Sequence, residues 1–233
     1  MRRLLTITLI LMGCGDTGQE PISRPVFVQG TAPTTFTSGA WTVTLTQAQI
    51  AFGPVYFCAT TAASSDLCPS AVGEIANAVV VDALDPLPQH AGTFEGFENT
   101  AQSAMFDFGT TWFSHERNPT SHTTLTNNAH FVGFAEQGAT RIDFIADLRI
   151  QPKQQGLHVV QGASLSTRFD DRLRDITIRF VPQRWWENVD FEAFRTSTEN
   201  PVHITHETPQ ASNAVTIGIT ANARPTFIFN QGE

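Results

Sequence analysis

Three histidines and one glutamate lie in or beside a long polar segment, and their side chains could bind a metal. His115, Glu116, His122 and His130 bracket residues 114–128, a stretch longer than an ordinary hairpin loop. Imidazole nitrogens and a carboxylate oxygen are ligands that copper and zinc accept. The segment therefore predicts a copper or zinc site. The alternative, surface side chains in a polar loop, is favoured because no fixed-spacing ligand motif is present.

A second histidine pair lies near the C-terminus, where His203 and His206 are three residues apart and Glu207 follows. In a strand, residues three apart face opposite sides of the sheet, so joint chelation would need a helical turn. Pro201 and Pro209 would keep such a helix short. Surface histidines are the favoured interpretation here too.

Sequence motifs of catalysis are absent. The chain contains no Gly-x-Ser-x-Gly elbow, no His-Glu-x-x-His helix and no Gly-x-x-x-x-Gly-Lys phosphate loop. We therefore predict a non-enzymatic protein and name no catalytic residue. A hydrolase whose site is assembled from distant residues remains the open alternative.

The first residues have the composition of an export signal. Arg2 and Arg3 are basic, residues 4–12 are apolar apart from two threonines, and Cys14 follows Gly13. A permanent membrane helix needs about 20 apolar residues. The shorter segment therefore predicts a signal peptide over residues 1–13.

The sequence Leu11-Met12-Gly13-Cys14 resembles the lipobox of bacterial lipoproteins. That resemblance implies cleavage before Cys14, a lipid on its thiol and acylation of the new amino group with a chain such as palmitate. Two or more acyl chains anchor a protein stably to a membrane. Gly15 follows the cysteine in place of an acidic residue, which favours the outer membrane. An ordinary signal with a chance cysteine is the alternative.

With Cys14 assigned to lipid, Cys58 and Cys68 form an even pair in a compartment that permits disulfides. The residues between them have turn composition, so we predict a disulfide that closes a short loop. In the chain-entropy model this closure contributes about 2.5 to 3 kcal/mol. A redox pair or a thiolate metal site is the alternative, although the spacing is not Cys-x-x-Cys.

Charge narrows the range of partners. The chain has 14 basic and 22 acidic residues, and loss of Arg2 and Arg3 with the signal leaves 12 against 22, a net charge of −10. Lys153 is the single lysine. Nucleic acid needs clustered lysine and arginine, so it is not an expected partner. We expect the membrane, through the lipid, and an envelope protein or glycan.

Alternating apolar and polar residues predict strands through most of the chain. Trp41 to Leu45 and Ala48 to Phe52 alternate in different phases, which predicts a bulge or turn near Gln47. The clearest alternation covers residues 142–150. Further strands are predicted at residues 75–81, 104–108, 131–135, 157–160, 176–181, 215–219 and 226–229. The pattern predicts an all-β, antiparallel β-sandwich over residues 40–233, with residues 14–39 as a lipid-anchored tether that has room for one short strand at Val26 to Val28.

One short helix is predicted at residues 182–188, where Pro182 suits a first helical position. It carries Trp185 and Trp186. We expect this pair to close one end of the sheet, with one indole buried and the other at the rim. A platform for carbohydrate or peptide is the alternative.

Three stretches, Gly53 to Cys58, Val81 to Leu84 and Trp186 to Phe191, are similar to segments of uncharacterised envelope lipoproteins of myxobacteria and their relatives. This resemblance implies a β-rich extracytoplasmic domain and transfers no activity. The combined prediction is a lipid-anchored binding or structural module of the cell envelope without a cofactor. The alternative is a periplasmic copper- or zinc-binding protein that uses its loop histidines.

Overall fold

The computed structural model describes residues 19–61, 68 and 71–232. Its strands are β1 Pro21–Gln29, β2 Thr35–Ser38, β3 Trp41–Phe52, β4 Val55–Cys58, β5 Ala71–Ile75, β6 Val79–Asp82, β7 Gln89–Phe97, β8 Asn99–Phe106, β9 Thr110–Thr111, β10 Thr120–Ser121, β11 Ala129–Gln137, β12 Thr140–Leu148, β13 Val160–Phe169, β14 Leu173–Arg179, β15 Val202–Ile204 and β16 Thr226–Gln231. Helix α1 spans Pro209–Ile217, and a π-helical turn continues it over Gly218–Asn222. Two 3-10 turns lie at Pro182–Trp185 and Phe191–Phe194.

The strands form two large sheets and one small one. The first has the order β13-β8-β4-β5-β7-β1-β14-β16, and the second has the order β15-β12-β11-β3-β2, with β6 also paired to β3. Strands β9 and β10 form a separate ribbon. Most pairs are antiparallel, while β1 with β14 and β12 with β15 are parallel. The predicted all-β sandwich is confirmed, with mixed sheets in place of purely antiparallel ones.

Phenylalanine rings join the two sheets into one core. Phe52 of β3 lies 5.5 Å from the ring of Phe106 on β8 and 5.2 Å from that of Phe180, which follows β14. Phe57 of β4 meets the rings of Phe94 and Phe169 at 5.6 and 5.4 Å. Edge-to-face contacts of this kind stabilise the core beyond their burial of apolar area.

The phase change predicted in β3 is a β-bulge. Across β11, Val132 pairs with Gln47 and Gly133 pairs with Leu45, so Thr46 is left without an opposite residue. The extra residue returns the apolar side chains on both sides of it to the core face. The bulge predicted near Gln47 is confirmed.

The predicted tether is wrong for residues 21–29 and 35–38, because they form β1 and β2; the short strand predicted at Val26 to Val28 is part of β1. Strand β1 lies inside the eight-stranded sheet, and Ile22, Val26 and Val28 are buried. Proline is unfavourable in a central strand because it has no backbone N–H to donate to a neighbouring strand. Pro25 is tolerated because β14 pairs with β1 only from Val26 onward, so the backbone before it has one partner strand. Residues 14–18 of the predicted tether lie outside the described residues.

The strand predicted at residues 215–219 is instead part of α1 and the turn that follows it. Val215, Ile217 and Ile219 alternate in the sequence, but Ile217 is 52% exposed. Ala211, Val215 and Ile219 are the buried residues, and their spacing of four is helical. The helix predicted at 182–188 is only a 3-10 turn, and the strand predicted at 157–160 begins at Val160.

The disulfide is confirmed, and the prediction for the tryptophans needs correction. Cys58 and Cys68 are bonded, with their Cα atoms 5.2 Å apart. Both Trp185 and Trp186 are fully buried, so neither lies at a rim. Trp185 donates its Nε1 hydrogen to the carbonyl of Ala223 at 2.9 Å, which satisfies the indole inside the core. The pair fills the core and leaves no platform for a ligand.

Candidate functional site

The structure does not bring the four predicted metal ligands together. His115 is exposed and stacks on Phe113 with ring centroids 5.8 Å apart. The carboxylate of Glu116 accepts hydrogen bonds from the Phe113 amide and the Thr120 hydroxyl. Among residues 19–61, 68 and 71–232, no group of three or more His, Cys, Asp or Glu side chains is arranged to hold a metal ion.

The other two predicted ligands have separate partners. Nε2 of His122 is hydrogen-bonded to the hydroxyl of Thr111 at 2.8 Å, which ties the β9–β10 ribbon together. His130 on β11 meets Asp147 on β12, with Nδ1 and Oδ1 2.9 Å apart. Both side chains of that cross-strand pair are about one third exposed. These contacts are typical of surface polar networks.

A cleft of about 580 Å³ lies between α1 and the segment that joins β12 to β13. We call it the α1 cleft. One wall runs from Leu148 to Gln161 and the other from His206 to Thr220. Its volume falls within the usual range for small-molecule sites, about 300 to 1,000 Å³. His206 lines the cleft, whereas His203 is exposed on β15 and does not.

Helix α1 divides its residues between the core and the cleft. Its apolar face is buried, while Ser212 and Thr216 of α1, together with Thr220 of the π-helical turn, line the cleft one helical turn apart. Each of these hydroxyls donates a hydrogen bond to the carbonyl four residues earlier, at 3.1, 2.8 and 2.8 Å. The hydroxyl hydrogens are therefore engaged with the helix backbone.

His158 lines the opposite wall and is held by a buried carboxylate. Its Nδ1 lies 2.7 Å from Oδ2 of Asp107, whose side chain is 0% exposed against 17% for His158. The other oxygen of Asp107 accepts the amide hydrogen of Val159, also at 2.7 Å. Because Nδ1 is occupied, Nε2 is the ring nitrogen left to meet a ligand, and it makes no hydrogen bond with the residues that the structure describes.

Strand register explains how these two residues meet. On the antiparallel pair β8 and β13, Phe106 is opposite Val160. The residues just beyond these ends, Asp107 and Val159, are therefore adjacent, and His158 comes next to the carboxylate. The amide of Asp107 donates to the carbonyl of Pro54 at 3.1 Å, which fixes its backbone. The pair is thus part of the sheet end and not of a free loop.

Tyr56 on β4 packs against His158 from outside the cleft. Its ring lies 5.1 Å from the imidazole of His158. Burial raises the pKa of Tyr56 above its ordinary value of 10.0, and the negative charges of Glu74 and Asp107 raise it further. The phenol therefore stays neutral at physiological pH and packs against the histidine ring.

Asp107 and His158 were missed in the sequence, although one signal was present. Asp107 lies between Phe106 and Phe108 at the end of an apolar strand, and a carboxylate in that setting needs a buried partner. Its partner is 51 residues away in the chain. The strand register that joins them is not specified by either local segment.

Comparisons with known proteins give little more. No protein-family model and no curated protein matches the chain. A solved structure, MbnP from Methylosinus trichosporium, aligns with 91% of this chain and 99% of its own, at 10% sequence identity and a TM-score of 0.41. Values at this level do not indicate shared function. Across the described residues, no helix has both the length and the apolar character needed to cross a membrane.

Proposed function

We propose that this chain is a lipid-anchored cell-envelope protein whose β-sandwich binds a small solute in the α1 cleft without chemically changing it. The observation that carries the binding function is His158, held at the cleft wall by the buried carboxylate of Asp107. A polar group fixed by a second buried residue is the arrangement that makes a binding site rigid before its ligand arrives.

Binding is favoured over hydrolysis by the hydrogen bonds of the cleft. An Asp-His pair is also two thirds of a catalytic triad, but the triad needs a nucleophile bonded to the histidine. The cleft hydroxyls of Ser212, Thr216 and Thr220 donate to helix carbonyls instead. Among the described residues, no hydroxyl is hydrogen-bonded to His158.

Thermal-shift and NMR screening tests the binding function, using neutral sugars, amino acids, organic acids and phosphates. Asn213→Trp on α1 should fill the cleft, whereas Ile217→Trp, on the same helix but outside the cleft, is the matched control. We expect a solute that raises the melting temperature of the wild type and the control but not of Asn213→Trp. If no solute binds, or if binding survives Asn213→Trp, the proposal is wrong.

The lipid anchor is tested separately. Growth with an alkyne-bearing palmitate analogue should label the wild-type chain and send it to the membrane fraction. The Cys14→Ser variant should remain unlabelled and soluble after cell lysis. A wild-type chain without label would contradict the lipobox interpretation and leave the binding proposal intact.

Copper or zinc binding is a second candidate, and one observation favours it. Histidines that ligate metals usually donate their other ring N–H to a carboxylate, as His158 does to Asp107. His206 shares the same cleft. Elemental analysis of protein from an oxidising periplasm would show stoichiometric metal, lost in His158→Gln and His206→Gln but retained in the control His203→Gln. Metal-free protein after incubation with both ions would exclude this function.

A further inference from the structure

We infer that the ligand of the α1 cleft is a small organic polyanion, with two or more carboxylate or phosphate groups on a compact skeleton. The inference rests on the proposed binding function and adds the chemical class of the solute. It follows from the charges, the free hydrogen-bonding groups and the size of the cleft.

The charges of the cleft differ in sign from those of the chain. Acidic residues outnumber basic ones by 22 to 14 overall. The described residues that line the cleft nevertheless include no aspartate or glutamate. The residues there that carry or can accept a positive charge are Arg149, Lys153, His158 and His206. The chain's single lysine thus lies at this site.

Arg149 and Lys153 are both exposed and available to a ligand. Several other surface arginines are paired with carboxylates and so are less available: Arg141 lies 2.8 Å from Asp143, and Arg172 lies 2.7 Å from Asp170. Within the described part of the chain, neither cleft cation makes an ion pair. A guanidinium can bind a carboxylate or a phosphate through two parallel hydrogen bonds, and an ammonium adds a mobile point charge.

The remaining lining suits a polar skeleton of moderate size. Gln151, Gln154 and Asn213 bring side-chain amides to the cleft, and Leu157 brings an apolar surface. A single inorganic ion would leave most of the 580 Å³ empty. A molecule with several acidic groups can reach both Arg149 and Lys153 and fill the volume between them.

Calorimetric titration of the full chain carrying Cys14→Ser tests the inference with three probes. Citrate represents polycarboxylates, pyrophosphate represents phosphates, and sorbitol is the neutral control. We expect one anion to bind with one-to-one stoichiometry, more weakly at high salt, and sorbitol not to bind. Arg149→Gln and Lys153→Gln should each weaken binding about tenfold. The matched control Arg174→Gln, exposed on β14 and outside the cleft, should have no effect.

The outcomes separate this inference from the binding function on which it rests. Tighter binding of citrate assigns the cleft to carboxylates, and tighter binding of pyrophosphate assigns it to phosphates. Binding of a neutral solute that Asn213→Trp abolishes, with no binding of either anion, overturns the inference and keeps the binding function. The polyanion inference is also overturned if an anion binds equally well to the wild type, to Arg149→Gln and to Lys153→Gln. A stoichiometric copper or zinc ion at His158 overturns it too. Failure of every solute overturns both proposals.

Discussion

Replacing Asp107 with alanine should destabilise the fold far more than removing the other aspartate that is paired with a histidine. Among the described residues, two such pairs have nearly the same geometry. Asp107 and His158 are 2.7 Å apart and 0% and 17% exposed, whereas Asp147 and His130 are 2.9 Å apart and 36% and 29% exposed. Burial is therefore the main difference between Asp107→Ala and Asp147→Ala.

The expected magnitudes follow from the hydrogen bonds lost. Asp107 accepts from His158 and from the Val159 amide, both at 2.7 Å. Hydrogen bonds to a charged group contribute about 1.5 to 3 kcal/mol each, and breaking a buried pair costs about 3 to 5 kcal/mol. We expect Asp107→Ala to lower the free energy of unfolding by about 3 to 5 kcal/mol. Asp147→Ala should lower it by less than about 1 kcal/mol, because solvent screens the exposed pair.

Urea unfolding followed by tryptophan fluorescence measures both values, since Trp185 and Trp186 are fully buried in the native state and exposed on unfolding. Asp107→Asn is a further check. The amide oxygen of the asparagine can still accept the hydrogen of the Val159 amide, and its amide nitrogen can donate to the other tautomer of His158. The free energy of unfolding should therefore fall by only about 1 to 2 kcal/mol. Equal losses for Asp107→Ala and Asp147→Ala would refute the reasoning from burial.

Three other predictions concern the core and the loops. Because the pKa of Tyr56 is raised in the folded state, the native protein holds the phenolic proton more tightly than the unfolded chain, so the free energy of unfolding should fall as pH rises above 10.0. Tyr56 is the single tyrosine, so the absorbance of its tyrosinate form reports this titration. In Tyr56→Phe the fall with pH should be smaller. Removing the disulfide with Cys58→Ala and Cys68→Ala should lower the free energy of unfolding, measured in urea, by about 2.5 to 3 kcal/mol. An unchanged value would show that the disulfide does not restrict the unfolded chain. Gly218→Ala would place its Cβ 2.3 Å from the carbonyl oxygen of Trp185, so we expect a loss of about 1 to 3 kcal/mol, which an unchanged melting temperature would contradict.

The sequence predicts the strands well where one face of a strand is buried and the other is exposed to solvent. Residues 142–148 alternate cleanly and form most of β12, and the phase change near Gln47 locates the bulge in β3 to within one residue. It fails where the alternation is accidental. Val215, Ile217 and Ile219 have the alternation expected of a strand. The exposure of Ile217 in the structure shows that the buried residues instead follow a helical spacing.

The candidate site was less predictable than the fold, for a physical reason. The predicted histidines at 115, 122 and 130 are close in sequence but have separate partners: His122 bonds to nearby Thr111, and His130 bonds to Asp147 on the adjacent strand. The residues that form the cleft come from two segments 45 positions apart, and the pairing of β8 with β13 joins His158 to Asp107. Local spacing carries information about loops, whereas this site depends on strand register.

Strand β8 runs between two ends of the domain that carry different features: the start of β1 lies at one end and the cleft at the other. Pro21, where β1 begins, pairs with Phe97, just before the start of β8, while Phe106 at the far end of β8 leads to Asp107 and the cleft. The eight residues of this strand rise about 26 Å. The chain from Cys14 to Pro21 can extend at most about 25 Å, so the proposed lipid on Cys14 would hold the Phe97 end within that distance of the bilayer. Under the proposed lipid anchor, the cleft would lie at the end of the domain farther from the membrane, where solutes could reach it from the surrounding medium.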